Sequence, residues 1–140
     1  MLQRAIQMTE AAVSIRFNLP NGARLGPGKV ALLESVHRHR SISAAARDLD
    51  MSYRRAWGLI ADLNRTFSET VVETFPGRSQ GAGAALTPFG ERVVALYRTA
   101  ERRCRKAAGE ALLEITQSSN PRYEAIEITR SQKKKAGRGA

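Results

Sequence analysis

Two adjacent arginines, Arg54 and Arg55, stand at the start of a segment with helical periodicity. Apolar residues recur behind them at steps of four, three and four positions, which is typical of a helix with one buried face: Ala56, Ile60, Leu63 and Phe67. This spacing leaves Arg54 and Gly58 on the outward face, one helical turn apart. A guanidinium group can donate two hydrogen bonds to O6 and N7 of guanine, and a glycine leaves room for close approach to DNA. The pattern therefore favours recognition of a nucleic acid.

Further polar and basic residues flank this segment. Ser52 precedes it in the position of an N-cap, and Arg78 stands among the glycines of a later loop. Arg78 could lie along a phosphate backbone, enter the minor groove or have no partner, whereas Arg38 and Arg40 are expected to contact phosphates. A solvated surface is the alternative explanation for any one of these arginines. The candidate DNA-contact residues are Ser43, Arg47, Ser52, Tyr53, Arg54, Arg55, Gly58 and Arg78.

The sequence contains no recognisable set of catalytic or metal-binding residues. A nucleophile with a histidine and a carboxylate, a glycine loop ending in Lys-Ser/Thr and a carboxylate cluster are all missing. His37 and His39 are two positions apart and do not face each other on a helix. Cys104 is the only cysteine, so it cannot form an internal disulfide, and we expect it to act as a small apolar side chain. We therefore expect no enzyme activity, no cofactor and no metal.

The charge balance favours a polyanionic partner. The chain has 23 Lys and Arg residues against 13 Asp and Glu, which gives a formal net charge of +10. Nucleic acid and an anionic membrane surface both fit this charge, and a merely soluble basic protein is the alternative. No run approaches the roughly 20 apolar residues of a membrane span, and the N-terminus lacks a signal-peptide pattern. A cytoplasmic protein without membrane contact is expected.

Helices must position these residues. Residues 11–19 alternate in character and predict a strand, and residues 20–28 predict a loop because prolines and glycines interrupt them. Helical periodicity predicts helices over residues 28–38 and 44–49, with Ser41 or Ser43 as the N-cap of the second. Trp57, in the third helix, is expected to lie partly in the core because aromatic side chains mainly supply buried area, and contact with a base is the alternative.

A hairpin and a long helix complete the predicted fold. Strands are expected at 70–75 and 84–86, around a glycine-rich tip. An apolar stripe then continues over residues 88–117 at steps of three and four, as in a helix packed along another helix, and Gly109 could kink it. The predicted fold class is mainly α with a small β-hairpin wing, a winged helix-turn-helix with a long C-terminal dimerisation helix. The expected division is an N-terminal strand and loop (1–27), the winged domain (28–117) and a basic, disordered tail (118–140).

Longer stretches of the sequence resemble a known family. The run GPGKVALLESVHRHRSISAAARDLDMSYRRAWGLIADLN, from Gly26 to Asn64, resembles the N-terminal domain of the molybdate-dependent transcriptional regulators, the ModE type. The helix pair also resembles the LysR-type regulators in its SISAAA start. The pieces SYRRAW, the glycine-rich wing and LTPFG distinguish the ModE type, and the resemblance extends to Tyr97.

The resemblance implies a homodimer that binds a palindromic operator in double-stranded DNA. It places the recognition helix at residues 52–64 and the wing at 71–86. ModE-type regulators often carry C-terminal molybdate-binding domains, and the 23 residues after position 117 are too few for one. We therefore expect a sequence-specific regulator linked to molybdenum metabolism or transport, without the molybdate-sensing domain and without a molybdate effect on DNA affinity.

Two other functions compete with this hypothesis. A non-specific or architectural nucleic-acid-binding protein would use charge alone and would ignore base identity at fixed salt. A partner-binding adaptor would use the winged helix as a protein interface. The clustered arginines argue against the adaptor, because charged residues are depleted from the cores of protein interfaces, although arginine is tolerated there.

Overall fold

A computed structural model describes residues 11–77 and 83–126. The elements in chain order are β1 (Phe17–Asn18), β2 (Arg24–Leu25), α1 (Pro27–His39), α2 (Ile42–Asp48), α3 (Tyr53–Thr66), β3 (Val72–Phe75), β4 (Gly83–Leu86), α4 (Pro88–Ala107) and α5 (Gly109–Ser118). Each pair of strands forms a two-stranded antiparallel hairpin. The mainly helical class and the β3–β4 wing are confirmed. No helix within the described ranges combines the length and apolar character that a membrane span requires.

The first two helices have sharply defined ends. α1 starts at Pro27, where the fixed φ of proline suits the first helical position. It ends at His39, and the next residue, Arg40, turns the chain with a φ of 56° and donates its N–H to the carbonyl of Val36. The side chain of Ser41 then accepts a hydrogen bond from the N–H of Ala44 at 3.2 Å. Ser41, not Ser43, is therefore the N-cap of α2.

The turn between α2 and α3 is closed by backbone hydrogen bonds. The N–H of Asp50 donates to the carbonyl of Arg47 at 3.2 Å, and the N–H of Met51 donates to that of Ala46 at 2.9 Å. With Asp50 at a φ of 53°, this pattern is a Schellman motif that ends α2. The Oγ of Ser52 then accepts from the N–H of Arg55 at 3.1 Å and starts α3, which confirms Ser52 as its N-cap.

The core lies between α1, α2, α3 and the first half of α4. Val30, Leu33 and Val36 of α1 are fully buried, and Ala56, Ile60 and Leu63 of α3 are at most 2% exposed, as their spacing predicted. Phe67 is only partly buried and packs edge-to-face on Phe89, with ring centroids 5.5 Å apart. The other buried apolar residues are Leu25, Leu32, Ile42, Ala45, Ala46, Val71, Val72, Ala84, Val93 and Tyr97.

The start of α4 is packed against the chain that enters the wing. The Oγ1 of Thr87 accepts from the N–H of Gly90 at 2.9 Å and donates to the carbonyl of Thr70 at 2.6 Å. A Cβ atom on Gly90 would lie 2.2 Å from the carbonyl oxygen of Val71. Only glycine fits at this position, which gives a physical reason for the LTPFG sequence.

The prediction of one strand over 11–19 followed by a loop is wrong. Only Phe17–Asn18 is strand, and it pairs with Arg24–Leu25 inside the expected loop. The ladder is short because α1 begins directly after β2. The alternation upstream comes from packing, since Ile15 lies partly buried against the core. The hydroxyl of Tyr97 donates to the carbonyl of Ile15 at 2.8 Å, and the ring of Phe17 meets that of Tyr97 edge-to-face.

The prediction of one continuous helix over 88–117 is also wrong. The structure has two helices, α4 and α5, separated at Ala108, directly before Gly109. Glycine is a weak helix former, which accounts for an interruption at this point. Along both helices the predicted apolar stripe is largely uncovered, and Cys104 is exposed rather than packed. Leu96, Leu113 and Ile115 are 52%, 59% and 66% exposed.

Candidate nucleic-acid interface

The outward face of α3 carries Arg54 and Gly58. Both are exposed, and they lie on the side of the helix opposite to the buried Ala56, Ile60 and Leu63. A Cβ atom on Gly58 would have no neighbour within 4 Å among the described residues. Arg54 is the second residue of α3, so its guanidinium projects from the first turn. This face can approach a flat or grooved partner without steric obstruction.

One flank of this face is a groove between α3 and the wing. Its lining residues include Ser43 of α2, Tyr53 and Trp57 of α3, and Thr74, Phe75 and Pro76 of the wing; we call it the aromatic groove. Trp57 is 46% exposed and is not among the residues that pack against the core, so the expectation that it lies partly in the core is wrong. The reason is its phase on the helix. It lies one turn after Tyr53 on the side facing the wing, and the four-residue strand β3 does not cover it.

The opposite flank is a basic cleft. Its lining residues include Arg55 and Leu59 of α3, Lys29 of α1, and Arg16 and Arg24 of the N-terminal hairpin. Arg55 thus faces away from the aromatic groove, although it is adjacent to Arg54 in sequence. The Nζ of Lys29 is 2.7 Å from the carboxylate of Asp62 and also donates to the carbonyl of Arg24.

Sequence reasoning missed Arg16 and Arg24 because contacts far apart in sequence place them. Arg16 lies between Ile15 and Phe17, two residues of the N-terminal segment that contact Tyr97 of α4. Its side chain packs over Gly26, where a Cβ atom would lie 3.3 Å from the Cγ of Arg16. These contacts fix the stem of Arg16 beside the start of α1.

Asn64, also missed, attaches the wing to α3. Its Oδ1 accepts from the N–H groups of Val71 and Val72 at 2.9 and 3.1 Å, and its Nδ2 donates to the carbonyl of Val72 at 3.0 Å. The N–H of Ala84 donates to the carbonyl of Arg40 at 3.0 Å and holds the other strand. The only sequence signal for Asn64 was a polar residue one turn after Ile60 on the inner side of the helix.

A second cluster joins the ends of α1 and α2 at Asp48. The Oγ of Ser35 and the Nη2 of Arg38 donate to its Oδ2 at 2.7 and 3.0 Å, and His39 lies 3.5 Å away. The hydrogen bonds from Ser35 and Arg38 hold the pKa of Asp48 below its usual value. Arg38, expected at a phosphate, is engaged in this cluster.

The remaining candidate DNA-contact residues lie in different parts of the structure. Ser43 and Arg47 are exposed one turn apart on α2, and Tyr53 lies in the aromatic groove. Ser52 uses its side chain to cap α3. Arg78 lies outside the described residues. Within the described part of the chain, no group of three or more His, Cys, Asp or Glu side chains is arranged to hold a metal ion.

The model of one protein family matches this region. The bacterial regulatory helix-turn-helix protein, lysR family, aligns with residues 28–91, from α1 through α2, the turn, α3 and the wing to the start of α4. Residues 28–91 are a LysR-type helix-turn-helix domain. The N-terminal hairpin, with Arg16 and Arg24, lies outside the matched segment of this domain, as do most of α4 and all of α5.

Curated relatives of the LysR-type domain include ModE proteins. "Molybdenum-pterin-binding protein MopB" of Rhodobacter capsulatus is 46% identical over 76 residues, which cover 54% of this chain and 28% of the relative. "Molybdenum transport protein ModE" of Azotobacter vinelandii is 33% identical over 118 residues, covering 82% of this chain and 44% of the relative.

"DNA-binding transcriptional dual regulator ModE" of Escherichia coli (strain K12) is 32% identical over 88 residues, 63% of this chain and 34% of the relative. The chain therefore spans less than half the length of these relatives. Their similarity confirms the resemblance inferred from the sequence: the LysR-type domain is of the ModE type.

Proposed function

We propose that this protein is a transcriptional regulator that reads a specific DNA sequence with α3. The observation that carries this proposal is the pairing of Arg54 with Gly58 on the unobstructed outward face of a helix whose other side is buried. An α-helix of about 10–12 Å diameter fits the major groove, and the N-terminal residues of a recognition helix meet the base edges.

Phosphate contacts on both sides would hold α3 in the groove. Ser43 and Arg47 on α2 supply one set, and the basic cleft with Arg55 supplies the other. Contacts of this kind fix the register of the protein on the duplex without reading sequence. The net charge of +10 supports this assignment, because neutralising phosphates releases counterions and drives binding.

We further propose that the protein acts as a homodimer on a palindromic operator. Leu96, Leu113 and Ile115 expose large apolar side chains along α4 and α5, which is the surface a second copy would bury. A two-fold axis would then place two copies of α3 on half-sites about 34–36 Å apart.

The names of the relatives suggest the process that is regulated. Proteins called molybdenum-pterin-binding and molybdenum transport proteins share the domain. We propose that the operator controls genes for the uptake or use of molybdenum, and that the protein works in the cytoplasm.

The central test combines selection of bound sequences from random DNA with substitution of Arg54. Arg54→Ala should lose about 1–3 kcal/mol on the selected duplex, and much less on a random duplex of equal length at the same salt. Arg122→Ala, in the exposed segment after α5, is the matched control and should leave both affinities unchanged.

Two results would contradict this assignment. Equal losses of affinity on both duplexes would show that Arg54 contacts only phosphate. If the unaltered protein bound selected and random duplexes equally, the competing function, a non-specific or architectural binder, would replace a sequence-specific regulator.

A further inference from the structure

The aromatic groove is a second surface beside Arg54, and its chemistry differs from that of the arginines. Tyr53, Trp57 and Phe75 are 50%, 46% and 49% exposed. Removal of exposed apolar area from water is favourable. Three half-exposed aromatic side chains around one groove therefore form a surface that an apolar group would complement.

The position of the groove favours DNA as its occupant. Trp57 lies three residues after Arg54 on the same helix, and Ser43, at the other wall, lies one turn before Arg47. The described residues that line the groove include no carboxylate. A groove without negative charge and bordered by arginines complements a polyanion.

The major groove of DNA offers one suitable apolar group. Each base pair presents hydrogen-bond donors and acceptors there, and thymine adds its C5-methyl group, which side chains recognise by apolar contact. On a helix, the Cβ atoms of residues three apart are about 5–6 Å from each other, and base pairs are stacked about 3.4 Å apart. A thymine beside Trp57 would therefore lie one or two base pairs from the base that Arg54 contacts.

We propose that Trp57, flanked by Tyr53 and Phe75, reads the C5-methyl group of a thymine in each half-site. This inference rests on the proposed function, because it requires α3 to enter the major groove. In addition to Arg54, which would act by hydrogen bonding, Trp57 would determine specificity by apolar contact. Asn64 positions this surface, since it fixes the wing that carries Phe75 against α3.

Replacement of thymine by deoxyuridine tests the inference directly. Deoxyuridine lacks only the C5-methyl group and keeps the same base pairing. In a duplex selected from random DNA, each thymine is replaced in turn and the dissociation constant of the full chain is measured at fixed salt. At one or two positions in each half-site we expect binding to weaken about fourfold, the effect of one buried methyl-sized group.

Two variants assign the effect to Trp57. In Trp57→Ala, the thymine and deoxyuridine duplexes should bind equally. Arg54→Ala, the matched control, should weaken binding to both and keep their fourfold ratio. The ratio compares two ligands of one preparation, so a reduced fraction of folded protein does not change it. Because Trp57 is the only tryptophan, quenching of its fluorescence by the selected duplex gives an independent readout.

Several outcomes would overturn the inference. They are a ratio near one at every thymine in the unaltered protein, an unchanged ratio in Trp57→Ala, and a selected half-site with no thymine within two base pairs of the position that Arg54→Ala affects. Equal weakening by Trp57→Ala on both duplexes would indicate a sugar or phosphate contact instead. Failure to select any preferred sequence would contradict the proposed function itself.

Discussion

Gly90 and Gly58 occupy two helices but have opposite surroundings. A Cβ atom at Gly90 would collide with the carbonyl oxygen of Val71, whereas one at Gly58 would meet nothing. Gly90→Ala should therefore lower the free energy of unfolding by about 1–3 kcal/mol or more. Gly58→Ala should raise it by up to about 1 kcal/mol, because alanine is the better helix former. Urea unfolding of both variants measures these changes.

Gly58→Ala should also separate stability from binding. If α3 enters the major groove as proposed, the added methyl group stands between the helix and the bases, and affinity for the selected duplex should fall while the fold becomes more stable. A more stable variant with unchanged affinity would show that Gly58 does not face DNA.

Asp48 makes the joint between α1 and α2 sensitive to acid. Its pKa is lowered in the folded protein by the hydrogen bonds from Ser35 and Arg38, so its charged form stabilises the fold above its usual pKa of about 3.9. This contribution is lost as the pH falls through the lower, folded-state pKa. Asp48→Asn should be less stable than the unaltered protein at pH 7, and the difference should narrow as the pH falls below about 4.

The matching measurement is thermal unfolding of both proteins between pH 7 and pH 3. The side-chain amide introduced by Asp48→Asn would keep an acceptor for Ser35 but lose the charge, which isolates the electrostatic contribution. A difference in stability that stays constant over this pH range would show that the charge of Asp48 does not stabilise the fold.

At this scale, the sequence predicted which residues of α3 are buried but not how its flanks differ. Periodicity separated Ala56, Ile60 and Leu63 from Arg54 and Gly58, because burial of a helix follows its repeat. Periodicity could not show that Trp57 faces the wing and Arg55 faces the N-terminal hairpin. Those directions depend on which elements pack beside the helix, and the helix repeat alone does not specify its neighbours.

Among the elements, the N-terminal hairpin extends the basic surface beyond the LysR-type segment. If the basic cleft holds a phosphate backbone, removing Arg16 and Arg24 should reduce the dependence of affinity on salt. The plot of the logarithm of the association constant against the logarithm of the salt concentration has a negative slope. Its magnitude should decrease by about 0.9 for each arginine that contacts a phosphate. The double variant Arg16→Gln/Arg24→Gln should therefore lose up to about 1.8 from the slope for each bound protomer.

The matched control is Arg105→Gln/Arg122→Gln, which removes the same charge from exposed positions: Arg105 lies on the side of α4 opposite to Leu96, and Arg122 follows α5. It should leave the slope unchanged. If the slope of Arg16→Gln/Arg24→Gln equals that of the unaltered protein, the basic cleft does not contact DNA. Discrimination between selected and random duplexes should be the same in both variants, because phosphate contacts carry no sequence information.

Helix starts were predictable where a side chain caps them, as at Ser52. The hairpin was not predictable, since the contacts that hold it join residues 82 positions apart, Ile15 and Tyr97. A local pattern therefore overestimated β1 and missed β2. The division of the last helix at Ala108 had a local signal in Gly109, but its apolar stripe continues across the break and concealed it.

At the scale of the whole molecule, the proposed function depends on whether two copies of the chain associate. Leu113 and Ile115 lie on α5, and no residue of the helix is buried in one chain. If a second copy covers them, Leu113→Asp/Ile115→Asp should shift the protein to a monomer and weaken binding to the selected duplex. Sedimentation velocity at micromolar concentration, with and without DNA, measures both.

The control variant is Ile126→Asp, which adds a charge at an apolar residue that is already 84% exposed beyond α5. It should remain a dimer. If the unaltered protein sediments as a monomer in both conditions, the homodimer proposal is wrong.

The interruption between α4 and α5 has a mechanical consequence for such a dimer. α5 has 10 residues and is about 15 Å long, so a bend of about 20° at Gly109 moves its far end by roughly 5 Å. This displacement exceeds the rise of one base pair, about 3.4 Å. Two DNA-binding domains joined through α5 would thus be connected by a hinge rather than by one rigid helix. The flexibility of the chain at Gly109 would then set the range of distances along the duplex at which the two domains can bind.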